Sequence, residues 1–197
     1  MKEELESIDY TLEEPDETLS MNPKKFIMWL FIVSSVMFFA AFTSAYLVRR
    51  AEGNWLEYTI PAVFSYSTAV LLFSSLTIHL AYLAAKKDRF GLMRTAISIT
   101  FVAGVIFLYM QFQGWVQLVD QKVFFVGNPA GSFMYIFTLF HGLHLIVGLI
   151  ILLFALKAAF QLSIHAKSLN QLEIAATYWH FLDVLWLYLF AFLIYFH

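Results

Sequence analysis

The sequence predicts an all-α polytopic membrane protein, a bundle of five transmembrane helices with its N-terminus inside and its C-terminus outside. Three observations predict it. Of 197 residues 61% are hydrophobic and 13% charged, too few to cover a soluble core of this size. The apolar residues gather into five runs of 23 to 25 residues, and about 20 helical residues cross a bilayer. The charges gather in an N-terminal arm and in short connections between the runs.

Residues 1–25 form the arm. Eight of the fourteen acids (Glu3, Glu4, Glu6, Asp9, Glu13, Glu14, Asp16, Glu17) lie in its first seventeen residues, so disorder or a surface strap is expected there. The arm is acidic rather than basic, and the run after it is too long for a signal core; the first helix is expected to be retained. Asn22-Pro23 and Lys24-Lys25 lead into the transmembrane domain, residues 26–197.

The runs are 26–48, 62–85, 95–119, 132–156 and 174–197. Four contain no Asp, Glu, Lys or Arg; the fifth contains Asp183. They lack the alternation of barrel strands, so each reads as a helix. Their surplus length points to tilt or extension into the headgroups. No internal repeat supports a transporter built from inverted halves. With the N-terminus inside, nine basic residues (Lys2, Lys24, Lys25, Lys86, Lys87, Arg89, Arg94, Lys157, Lys167) fall on the inner side. Only Arg49, Arg50 and Lys122 fall outside, which sets the predicted orientation. The absence of cysteine excludes disulfides, thiolate zinc sites and cysteine-ligated clusters. No phosphate-binding glycine loop, nucleophile–base arrangement or nucleic-acid motif is present.

Polar groups in lipid cost several kcal/mol when unsatisfied, so they are the informative positions. His141 and His144 in the fourth run are spaced i, i+3, on one helix face. They read either as metal or haem ligands or as hydrogen-bonding groups, and two ligands on one helix do not complete a site. In the fifth run His180 and Asp183 repeat the spacing. An intramembrane carboxylate needs a partner or a proton, and His180 or a basic residue of another helix is the candidate partner. The pair reads as a proton relay or, by preference, as a tie between helices. Trp179 and Trp186 read as belt or interface aromatics. Gln111, Gln113 and Gln117 suit loops or the next helix, and His79 can reach headgroups. Ala40/Ser44 and Ala41/Ala45 allow close helix approach, and Arg49-Arg50 anchor the outer end of the first helix.

Together these blocks carry a resemblance. Phe140-His141-Gly142-Leu143-His144 with Gly148 resembles the F-H-G-L-H-V-x-x-G stretch of haem–copper oxidase subunit III. The stretch Tyr178-Trp179-His180-Phe181-Leu182-Asp183-Val184-Leu185-Trp186-Leu187 resembles its Y-W-H-F-V-D-x-V-W-L motif. Val36-Met37-Phe38-Phe39-Ala40-Ala41-Phe42 resembles its S-E-x-M-F-F-x-x-F helix, and Gly131-Ser132 stands where the family has G-S. The likeness runs from about Phe26 to the C-terminus and fits the short five-helix bacterial form. Two carboxylates of the family pattern are missing. Ser35 follows Ser34 where an acid is usual, and Gly114 stands three residues after Gln111 where a glutamate is common. Whatever those acids do in proton handling does not carry over.

The resemblance implies a non-redox subunit of a terminal oxidase in aerobic respiration, most closely cytochrome c oxidase, without a catalytic centre of its own. It implies no cofactor on this chain, haem and copper on partner subunits, and bound phospholipid. The implied partners are subunit I as the main contact, subunit II, other respiratory-complex subunits and membrane lipids, with no nucleic acid. The implied location is the bacterial inner membrane, as a multi-pass protein supporting proton supply and turnover stability. His141, His144, His180, Asp183, Trp179 and Arg49 are the expected lipid-binding or helix-tie residues. A quinol oxidase subunit III and the nitric-oxide reductase accessory protein are the near alternatives; a transporter or a haem-binding anchor is more remote.

Overall fold

A computed structural model describes residues 22–161 and 169–196. Most of the acidic arm, the α4–α5 connection and His197 lie outside the described residues. Five helices follow in order: α1 (Pro23–Ala51), α2 (Ala62–Lys86), α3 (Phe90–Asp120), α4 (Pro129–Phe160) and α5 (Asn170–Phe196). Each is long and apolar enough to cross a membrane. The described residues contain no strand.

Most of the helices outrun the apolar runs that announce them, because polar residues at their ends continue or cap the same backbone. Asn22 and Asn128 are N-caps, each side chain accepting from an amide two residues on at 3.0 Å. Proline follows each cap, where its missing N–H costs nothing. At the other end of α4 Arg94 donates from Nε to the Ala159 carbonyl at 3.0 Å and holds a free terminal acceptor. The α2–α3 connection is a tight turn in which Asp88 takes φ +50°. In the longer α3–α4 loop Gly127 takes φ +131°, a conformation that side chains disfavour.

Helices α2, α3, α4 and α5 close a ring in that order, α5 returning to α2. Helix α1 packs outside this ring, on α4 and α5. Its remaining face is exposed, including Phe26, Ile27, Trp29, Val36 and Met37, and suits lipid or another subunit. The small residues Ala40, Ala41, Ser44 and Ala45 lie on that exposed side, so the close approach they permit is not used within the chain.

Close approach inside the ring comes from glycines instead. A Cβ at Gly104 would stand 2.6 Å from the Trp179 ring, and one at Gly148 would stand 2.8 Å from Leu182. Trp179 is therefore wedged between α3 and α4, fully buried. Trp186 is equally buried, with its ring 5.1 Å from Phe107. Both tryptophans belong to the core, which corrects the reading of them as belt aromatics. Their place on α5, which touches three neighbouring helices, overrides the usual preference of tryptophan for the interface.

Candidate functional site

A set of polar side chains within the bundle converges on α2. Ser67 and Ser74, and likewise Thr68 and Ser75, are seven residues apart and share one helix face. Three of these hydroxyls donate backward into their own helix: Ser67 and Thr68 to the Phe64 carbonyl, and Ser74 to the Leu71 carbonyl. Each oxygen is then left to accept from a neighbouring helix. Gln111 Nε2 donates to Ser67 at 3.1 Å, Trp186 Nε1 to Thr68 at 2.9 Å and Trp179 Nε1 to Ser74 at 3.0 Å. The arrangement satisfies buried donors where water is scarce, and it fixes the rotation of α3 and α5 against α2. These hydroxyls escaped the reading of the sequence, although their seven-residue spacing was visible there.

His180 belongs to the same ladder. Its Nδ1 lies 2.8 Å from Ser75 Oγ and 3.8 Å from Asp183 Oδ2. Asp183 is 3% exposed, and neither carboxylate oxygen has a hydrogen-bond partner. His180 thus stands beside Asp183 without closing a hydrogen bond onto it, and its tie runs to Ser75 of α2. Among the described residues no lysine or arginine pairs with Asp183.

The two histidines of α4 part company. His141 is fully buried between Trp186, 4.9 Å away, and Phe107, 5.7 Å away, with both ring nitrogens unpartnered. His144 turns toward α1. Its Nδ1 donates to the Phe140 carbonyl at 2.7 Å, and its Nε2 lies 3.1 Å from Ser35 Oγ. The Ser35 hydroxyl is also 2.8 Å from the Phe31 carbonyl, so two acceptors share it. A three-residue step turns a helix by about 300°, leaving the rings about 60° apart, enough here to send them to different neighbours.

Both departures from the family pattern acquire a physical setting. Ser35, in the place of the first acid, forms a neutral link between α1 and α4. Gly114, in the place of the second, faces the Phe64 ring, where a Cβ would come within 2.5 Å of its edge. The space that a glutamate side chain would need is filled by an aromatic ring of α2. Of the other amides, Gln113 donates to Tyr109 within its own helix.

Between α1 and α2, floored by α5, lies a pocket of about 340 Å³. Lys25, Trp29, His79, Tyr82, Glu173 and His180 are among its walls. Lys25 Nζ is 2.5 Å from Glu173 Oε2, an ion pair that spans α1 and α5. A second groove of about 250 Å³ runs between α1, α4 and α5, lined by Ile27, Phe31, Val147, Ile151 and Tyr178 with Lys24 at its end. Arg49 joins neither. It pairs with Glu52 at the far end of α1, while Arg50 lies over the Phe196 ring.

This arrangement contains helix ties and surface grooves and, among the described residues, no converging set of redox ligands. Comparison with known proteins places it. The family cytochrome c oxidase subunit III matches residues 11–197. The chain belongs to this family. It is 37% identical to a probable cytochrome c oxidase subunit 3 of Nocardia farcinica, over 84% of this chain and 83% of that one. It is 29% identical to the cytochrome c oxidase subunit 3 of Thermostichus vulcanus, over 95% and 91% of the two chains. It is also 27% identical to the cytochrome bo(3) ubiquinol oxidase subunit 3 of Buchnera aphidicola, over 89% and 88%. A subunit III is a multi-pass membrane component of a haem–copper oxidase, and the cofactors of that enzyme sit on other subunits. His141 and His144 do not fit haem or copper: His141 is enclosed by aromatic rings and His144 is committed to α1. Among the described residues no three His, Cys, Asp or Glu side chains gather around one point.

Proposed function

We propose that this subunit III serves an oxidase that takes electrons from cytochrome c, packs chiefly against subunit I, and holds phospholipid in its grooves during turnover. The higher identity to a relative named for cytochrome c oxidase than to the quinol oxidase relative carries the choice of donor. The quinol oxidase is the second reading, favoured by the breadth of that weaker match. The lipid reading is supported by the apolar groove ending at Lys24, which offers a cation to a phosphate above walls suited to acyl chains. Of the expected site residues, His144, His180 and Trp179 act as ties, and Asp183 is enclosed beside His180. Arg49 anchors the outer end of α1. The subunit sits in the bacterial inner membrane with its N-terminus and acidic arm inside, the orientation favoured by nine inner basic residues against three. Stable packing of α1 and its lipids supports proton supply and the durability of subunit I.

The purified complex tests the choice of donor. Supplied with reduced cytochrome c or with a ubiquinol, it is expected to consume oxygen rapidly with the first alone. Rapid oxygen consumption with quinol and none with cytochrome c would replace the proposal by its second reading.

A further inference from the structure

We propose that the pocket between α1, α2 and α5 is a proton port, through which Asp183 exchanges a proton with the inner side by way of His180. The side to which the port opens rests on the N-in orientation proposed above, and the port itself on local geometry. Asp183 is enclosed, with no hydrogen bond closed onto either oxygen, His180 Nδ1 at 3.8 Å and no lysine or arginine matching it among the described residues. A carboxylate left so in a bilayer is costly as an anion and inexpensive as a neutral acid. Nearby, the indoles of Trp179 and Trp186 and the Gln111 amide nitrogen are hydrogen-bonded by contrast.

The route is short. His180 lines the pocket, and its side chain is 37% exposed against 4% for Asp183. Its Nδ1 is turned inward to Ser75 and Asp183, which leaves Nε2 as the nitrogen available to the pocket. A proton taken up on Nε2 makes an imidazolium. Its Nδ1 proton then passes to Asp183 Oδ2 as the 3.8 Å gap closes, leaving a neutral imidazole and a neutral acid. The reverse steps return the proton, and no electron moves. The Ser75 hydroxyl holds the ring between its two contacts.

Other ionisable groups face the port from α1, α2 and α5. Lys25 of α1 is matched by Glu173 of α5, and Tyr82 of α2 reaches the same carboxylate at 3.4 Å. From α2, His79 places its ring 6.1 Å from that of His180, and Lys86 lies over the Tyr82 ring. Helix α4 turns its histidines elsewhere, His141 to Phe107 and Trp186 and His144 to Ser35. The pocket thus carries charged and polar groups among its walls, and Asp183 lies behind His180, outside the lining.

Infrared spectroscopy of the intact oxidase in heavy water tests the port. A protonated-carboxyl band is expected that is absent from the Asp183→Asn complex. It should exchange promptly in the natural complex and at least about tenfold more slowly in His180→Phe. A band unaffected by Asp183→Asn, or equal exchange rates with and without His180, would overturn the proposal. A labelling experiment needs no variant, should either substitution disturb assembly. Hydrophobic carbodiimides attack protonated carboxyls, so the natural complex is treated across a pH series and the peptide covering residues 174–197 is weighed. Labelling of Asp183 that fades as pH rises supports the port. An Asp183 unlabelled at every pH, or labelled equally at all of them, rules it out.

Discussion

At the scale of single residues, each buried polar group finds its own solution to the lack of water. Indole N–H groups are given to hydroxyls, His144 to a serine, and His141 to aromatic rings alone. The oxygens of Asp183 have no hydrogen-bond partner, a state they share with the ring nitrogens of His141, Gln111 Oε1 and Trp55 Nε1. Substituting Asp183→Asn removes the acid while keeping its shape. Starting oxygen consumption of an assembled, haem-replete complex is expected to be nearly normal, because the redox centres lie on other subunits. Its working life is expected to shorten by about fivefold, the factor that roughly 1 kcal/mol of local stability is worth. Oxygen consumption followed to inactivation measures both; an immediate loss of activity would place Asp183 on a proton path that turnover requires. That His180 and Asp183 stand together with the acid inside the bundle was legible in the sequence, since a carboxylate in an apolar run declares itself. Their true neighbour was not. Ser75 lies 105 residues from His180, and nothing local marks it as the partner.

At the scale of helices, hydropathy showed where five elements stand but not where they end or which faces meet. Helix α3 starts at Phe90 rather than 95, and α4 reaches Phe160 rather than 156, because polar residues and lysines continue a helix beyond the hydrocarbon. The Asn–Pro starts of α1 and α4 were present in the sequence as capping chemistry. The tryptophans of α5 misled because burial depends on what lies opposite, and Gly104 and Gly148 become meaningful only once the helices touch. The α2–α3 contact offers a sharper case. Gly114→Ala would drive a Cβ into the Phe64 ring and is expected to destabilise the subunit by about 1–3 kcal/mol. Phe64→Ala opens a cavity costing about 3–5 kcal/mol. In the double variant the new methyl no longer collides, so the combined loss should fall short of the sum by about 1 kcal/mol or more. Thermal inactivation of the assembled complex in a double-mutant cycle measures this; simple additivity would show that the ring and the glycine are not in contact.

At the scale of the whole molecule, a four-helix ring carries a fifth helix on its side, with grooves beside that helix and an exposed apolar face along it. The chain has no cysteine, so single cysteines can report orientation without background. With the N-terminus inside, Asn54→Cys in the α1–α2 loop should react with a membrane-impermeant maleimide added to intact cells. Asp88→Cys in the α2–α3 turn should react only after the membrane is opened; the opposite pattern would invert the topology. The family resemblance was legible from motif order alone, whereas the pocket between α1 and α2 was not, since it exists only because those helices stand apart on α5. At this scale the chain is expected to be a colourless, non-redox part of a haem–copper oxidase. That expectation is tested most directly by tagging the chain, solubilising its membrane gently and recording the absorption spectrum of what copurifies. The predicted result is a complex with oxidase subunit I and its haem, while the isolated folded chain carries neither haem nor copper. Stoichiometric haem or copper on the isolated chain, or copurification without any oxidase subunit, would contradict it.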